Sequence, residues 1–280
     1  AMVAMEYGLE LDDMLFKYGV RINNDVVQDM QCVQLGRMSR DGGMELKNWP
    51  YFPKLNPTSD HPIVRNMDFI LGGFTNSMDT IKSSGISKTV LLTTSKYCLK
   101  AAAPVRISMS VMNYPLQHEI YTKSYLPVAV LMEGKFHSTY ENILAPASIK
   151  FLDSINQPFK PVCDSSNKMI VTSVGDVFMN DYSTKDGVLQ MGYYKWTGEF
   201  FQNRSFMLNC LEYLTSNAGI LESRSKEVKL RMLDYGRAND EKTQWQFVNV
   251  AVPIAAVFIF ASCYFFFRKR RYEIKVQPKS

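Results

Sequence analysis

Side chains able to act together on a ligand fall in two short stretches of this sequence. Asp176 ends the run Ser173-Val174-Gly175-Asp176, directly after the apolar segment MIVTSV (residues 169–174). In an open α/β sheet, ligands sit beyond the carboxyl ends of the strands, which is where this carboxylate would stand. The simpler expectation is a Gly-Asp turn whose carboxylate caps the following VFMND segment. The second stretch is Tyr193-Tyr194-Lys195-Trp196, followed by Gly198 and Phe200-Phe201. Tyr193, Tyr194 and Trp196 could stack on a sugar or peptide, or bury against a sheet as the next helix docks. Core packing is the plainer expectation, and ligand contact by Asp176, Tyr193, Tyr194 and Trp196 is the alternative.

No catalytic chemistry stands out beside them. The glycine-rich dinucleotide and phosphate-loop patterns are absent, as are the nucleophile-elbow and zincin patterns. The five cysteines (Cys32, Cys98, Cys163, Cys210, Cys263) include no CxxC pair. Neither they nor His61, His118 and His137 have metal-ligand spacing. Buried free thiols are the expectation for the cysteines. Cys98 follows a strand-like segment, but SKYCLK lacks the glycines and the evident base that an activated thiol needs. Asn203-Arg204-Ser205 is a formal glycosylation sequon. The expectation is a non-enzyme with no cofactor and no metal.

Several elements must position these residues. Apolar, β-branched runs of strand length lie at residues 26–35, 89–93, 105–111, 127–132 and 169–174. TVLLT, PVAVLM and MIVTSV are apolar on both faces, as strands between two covering layers are. Helical spacing appears at residues 11–18 and 198–216. In the latter, Phe200, Phe201, Met207, Leu208, Leu211 and Leu214 form one apolar stripe, expected to face the core. Residues 42–62, with WPYFP and NPTSDHP, read as a loop-rich region, and residues 224–233 as a strand or charged connector. The fold class expected is α/β, a layered sheet with flanking helices, followed by one transmembrane helix.

That helix is the plainest segment of the chain. Residues 247–267 contain no charge and suffice to cross a hydrocarbon core of about 30 Å. Trp245 stands at one end, Asn249 and Pro253 lie within, and Arg268, Lys269, Arg270 and Arg271 stop the span. The tail from residue 268 carries six basic residues and one acidic one, which accounts for the whole formal charge of +5. The larger part is therefore electrically balanced, with no charge argument for nucleic acid, while the basic tail suits anionic lipid. The positive-inside bias places that tail in the cytoplasm and the domain outside it. No export signal precedes the domain, so a fragment of a longer chain is expected. The divisions expected are a domain at 1–222, a connector at 223–246, the span at 247–267 and the tail at 268–280.

Four segments together, LDDMLFKYGVRIN, VQDMQC, SVGDVFMND and FMLNCLEYLTSNAGILESRSKEVKLRMLD, resemble the C-terminal half of the gliding-motility-associated ABC transporter accessory proteins (GldG) of Bacteroidetes. The segments NPTSDHPIVRNMDFILGGFTNSMDTI and LPVAVLMEGKFHS and the final span fit the same pattern. The resemblance implies a glutamine-amidotransferase-like or flavodoxin-like periplasmic domain anchored in the inner membrane. It also implies an ABC permease and ATPase as partners, and an additional N-terminal helix and domain in the full-length protein. The function expected is a non-catalytic accessory subunit docked on the permease. The alternative is a module presenting a sugar, peptide or lipid to the transporter, with a membrane-anchored hydrolase as a more remote third.

Overall fold

The computed structural model describes residues 2–39, 41–215 and 242–272. The chain divides into two compact units, residues 1–227 and 228–280. Residues 223–241 of the connector expected at 223–246, including the strand-or-connector segment 224–233, lie outside the described residues, as does the tail beyond 272.

The first unit is built on a six-stranded sheet. Its order is Asn167–Thr172, Pro127–Gly134, Ile86–Thr93, Met44–Pro57, Cys32–Met38, and Ile70–Leu71 pairs onto Met44–Pro57 as well. The Pro127–Gly134 strand explains why an unbroken apolar run is needed here. Residues 128–132 are all fully buried, because covering layers lie on both sides. Strand alternation sends Ala129 and Leu131 to one side, among Leu55, Ile70, Leu92, Phe206 and Tyr213. Val130 and Met132 go to the other, among Tyr18, Val20, Met78 and Phe136.

The unit is mixed α/β, with three α-helices, Asp12–Tyr18, Pro146–Ser154 and Asn203–Thr215, among its described residues. A flavodoxin-like sheet would be parallel. Here every strand pairing among the described residues is antiparallel. The physical reason is that apolarity on both faces reports covering layers, not strand direction. Helix Asn203–Thr215 covers one face, and the Tyr18–Val20 and Met78 segments cover the other.

Two further expectations change. The region read as loop contains the longest strand, Met44–Pro57, with Trp49, Tyr51 and Leu55 buried in period-two alternation. Pro50 is tolerated because the ladder with Cys32–Met38 jumps from Val33↔Trp49 to Cys32↔Pro53, leaving it out of register, and Pro57 is the strand's last residue. In helix Asn203–Thr215 the buried stripe is Asn203, Phe206, Cys210 and Tyr213. Leu208, Leu211 and Leu214 face outward, 41–50% exposed.

Strand Asp25–Asp29 pairs with Cys98–Ala102 and anchors two loops by the same device. Asp25 accepts hydrogen bonds from Ser77 N (2.8 Å) and Ser77 Oγ (2.6 Å), with Lys100 Nζ 3.4 Å away. Asp29 accepts from Ser95 N (2.7 Å), Gln31 N (2.8 Å) and Ser95 Oγ. Both carboxylates are buried, so these donors replace the water they lost.

The second unit's described part is one helix, Lys242–Tyr272, with Pro253 inside it. Residues 246–271 are long and apolar enough to cross a membrane, and their apolar side chains are exposed.

Candidate functional site

A cleft of about 360 Å³ opens in the first unit where three pieces of chain meet. The first is Leu71-Gly72-Gly73, leaving the Ile70–Leu71 strand. The second is the 3-10 turn Gly175–Phe178, which carries Asp176. The third is a hairpin in which Tyr193–Tyr194 pairs with Glu199–Phe200.

Asn203 ties the first two together from the start of its helix. Its Nδ2 donates to Leu71 O (2.9 Å) and Val177 O (3.1 Å), and its Oδ1 accepts from Leu71 N (2.9 Å). The side chain is buried and fully engaged, so the sequon at Asn203 does not present a surface amide in this fold. Buried Val174 and Val177 fix the turn from below. Asp176 is thereby set above Gly73, where an added Cβ would lie 2.5 Å from Asp176 Oδ2. The glycine makes room for the carboxylate.

Asp176 is solvent-accessible, yet its carboxylate takes part in no hydrogen bond or ion pair among the described residues. The turn's N-cap is Val174, and no side chain caps it. The cap expectation is therefore replaced by an unpartnered acid. Desolvation by the cleft wall raises its pKa above the usual carboxylate range. The nearby Asp181 is different, since Lys195 Nζ neutralises it at 3.0 Å.

The hairpin turns through Gly198, whose φ of 72° suits a residue without Cβ, and Gly198 N donates to Tyr194 O at 2.9 Å. Tyr193 packs on Phe200 with ring centroids 4.9 Å apart. Tyr194 is buried, its hydroxyl has no hydrogen-bond partner among the described residues, and burial pushes its pKa up. Trp196 leans on the Cys32–Met38 strand over Gly36, where an added Cβ would collide with the indole, and keeps 36% of its surface exposed. The core reading thus describes Tyr194, while Tyr193 and Trp196 remain partly accessible.

All four residues singled out from the sequence, Asp176, Tyr193, Tyr194 and Trp196, line this one cleft. Among the lining residues that sequence reasoning missed are Phe52, Gly72, Gly73 and Met179. The Gly72-Gly73 pair following a strand was the available signal, because paired glycines there mark a close approach to backbone.

The other chemical candidates disperse. Cys98 is buried, with its Sγ 3.2 Å from Thr94 Oγ1, and burial raises the thiol pKa. Burial likewise pushes Cys32 and Cys210 up to about 12. His118 packs edge-on against Tyr97, and His137 Nδ1 lies 3.2 Å from Glu141. His61 packs edge-on against Tyr213 and is lowered by burial. No cluster able to hold a metal occurs among the described residues. Of the residues expected to meet a membrane or partner, Asn249 and Pro253 lie on the exposed surface of the long helix, and Arg268, Lys269, Arg270 and Arg271 extend its end. The side chain of Trp245 lies outside the described residues.

The family model described as an ABC-type uncharacterized transport system matches residues 1–210, a stretch that contains the sheet and the whole cleft. The chain belongs to that family. No curated protein and no solved structure gives a significant match. The family association is with ABC-type transport systems, and one helix that qualifies as a membrane span follows the matched region.

Proposed function

We propose that the protein is a non-catalytic, membrane-anchored accessory subunit of an ABC-type transport system, docking on its permease beside the ATPase. The observation that carries this reading is the family match over the domain, joined in one chain to an apolar helix that ends in Arg268-Lys269-Arg270-Arg271. The four cations favour a cytoplasmic tail and contact with anionic lipid, and such a tail supports a periplasmic domain at the inner membrane. Anchoring confines docking to two dimensions and raises the effective concentration, so modest contacts suffice. Within the family, the GldG-like segments support the gliding-motility-associated branch. Motility itself is not required by the reading.

Protease added outside spheroplasts tests the placement. It is expected to digest the domain and leave a protected fragment carrying a C-terminal epitope. Protection of the whole chain would contradict the periplasmic assignment.

The cleft favours a second reading, a module that presents a ligand to the transporter. It rests on the convergence of Asp176, Tyr193, Tyr194 and Trp196. Alanine at Asp176 and Trp196 separates the two readings. Docking alone predicts that both variants assemble and function as wild type, whereas ligand presentation predicts normal assembly with function lost.

A further inference from the structure

The cleft holds one acid that has no partner among the described residues, set against aromatic and apolar walls. Its other charged lining groups, Asp181 and Lys195, already satisfy each other at 3.0 Å. Asn203, the buried amide, is fully engaged. Asp176 therefore supplies the charge with which a ligand would pair, and Phe52, Tyr193, Trp196 and Met179 supply the apolar surface around it. Aromatic faces attract cations, and an organic ammonium sheds its hydration more readily than a small metal ion. A carboxylate alone would also suit a metal ion, but no second unpaired acid lines the cleft to complete an oxygen shell.

We infer that the cleft binds a small organic cation, an ammonium group on an apolar or aromatic body, with Asp176 as its counter-ion and Tyr193 and Trp196 flanking the body. The inference rests on the ligand-presenting reading above and adds the chemical class. Gly73 is part of the device, because only a residue without a side chain leaves the carboxylate its position over the backbone. Its φ lies outside the left-handed region, so alanine there displaces Asp176 without straining the chain.

The test is calorimetric titration of the full chain in a maltoside detergent with phenethylammonium, using neutral 2-phenylethanol as the uncharged counterpart. Phenethylammonium is expected to bind and 2-phenylethanol to bind at least tenfold more weakly. Asp176→Asn is expected to weaken the ammonium about tenfold or more, the loss typical of a charge-assisted contact, and to leave 2-phenylethanol unchanged. Gly73→Ala is expected to reproduce that loss with the charge still present. Repeating the titration in phosphatidylethanolamine and phosphatidylglycerol nanodiscs identifies the source. Competition by the ethanolamine headgroup assigns a lipid, and equal affinities assign a free amine. Equal binding of both phenethyl compounds, or an Asp176→Asn variant that binds the ammonium as wild type does, would overturn the cation while keeping a ligand cleft. If neither compound binds, and sugar and peptide probes also fail, the ligand-presenting reading falls with it.

Discussion

The walls of the cleft desolvate Asp176 and return neither a hydrogen bond nor a cation, so its carboxyl titrates above the ordinary aspartate value of about 3.9. The other ionisable lining groups are Asp181, paired to Lys195, and the two tyrosines. A raised carboxyl pKa means that the folded state holds the proton more tightly than the unfolded chain. Its contribution to stability is therefore fully present below the unfolded value and lost as pH rises through the folded one. Asp176→Asn removes that loss. Thermal unfolding followed against pH is expected to show the variant more stable than wild type at neutral pH, with the difference vanishing in acid. A variant less stable at neutral pH would show that Asp176 has a partner after all. Asp29 is raised too, because its desolvation outweighs the lowering by its hydrogen bonds, but unlike Asp176 it is held by three donors. Asp29→Ala leaves those donors unsatisfied and is expected to cost about 3 kcal/mol in denaturant unfolding. A loss below about 1 kcal/mol would mean that water replaces the carboxylate.

Among the elements, the helix Asn203–Thr215 shows how far periodicity reaches. Its spacing makes a helix evident, and its leucines suggest the buried side. The core instead takes Asn203, Phe206, Cys210 and Tyr213. What reverses the face is tertiary: Asn203 must reach Leu71 and Val177, and Tyr213 Oη donates to Glu133 at 2.7 Å, which fixes the rotation of the helix. Phe206→Ala is accordingly expected to destabilise the unit by about 3–5 kcal/mol, and Leu211→Gln to change stability by less than about 0.5 kcal/mol. Equal losses would mean that both faces are covered. Strand 127–132 was legible because burial on both faces leaves an unbroken apolar run. Residues 89–93 and 169–174 carried similar apolar, β-branched runs, although the last is a half-buried edge strand. The Met44–Pro57 strand was not, since its prolines carry the local signature of a loop, and Pro50 is permitted by a register shift set by the partner strand. The run 26–35 concealed two strands, Asp25–Asp29 and Cys32–Met38, with different partners. For the cleft, the local aromatic cluster and the strand-end acid could be read along the chain. Phe52 and Gly72-Gly73 could not be placed beside them, because they arrive from strands more than 100 residues earlier.

At the scale of the whole molecule, charge and apolarity are divided along the chain rather than spread through it. The family match covers a domain whose basic and acidic residues balance, and the excess charge sits in the helix's last turn and the tail that follows. Such a division suits a subunit whose domain meets protein and whose tail meets lipid headgroups. Under the proposed docking the helix is an essential part of the assembly, because without it docking becomes a three-dimensional search. The most direct measurement is affinity purification of the intact chain from native membranes in mild detergent, beside a chain ending at Gln244, with co-purifying proteins identified by mass spectrometry. The account predicts that an ABC permease and its ATPase accompany the intact chain and are lost or strongly depleted with the shortened one. Recovery of the intact chain with no transporter component would contradict it.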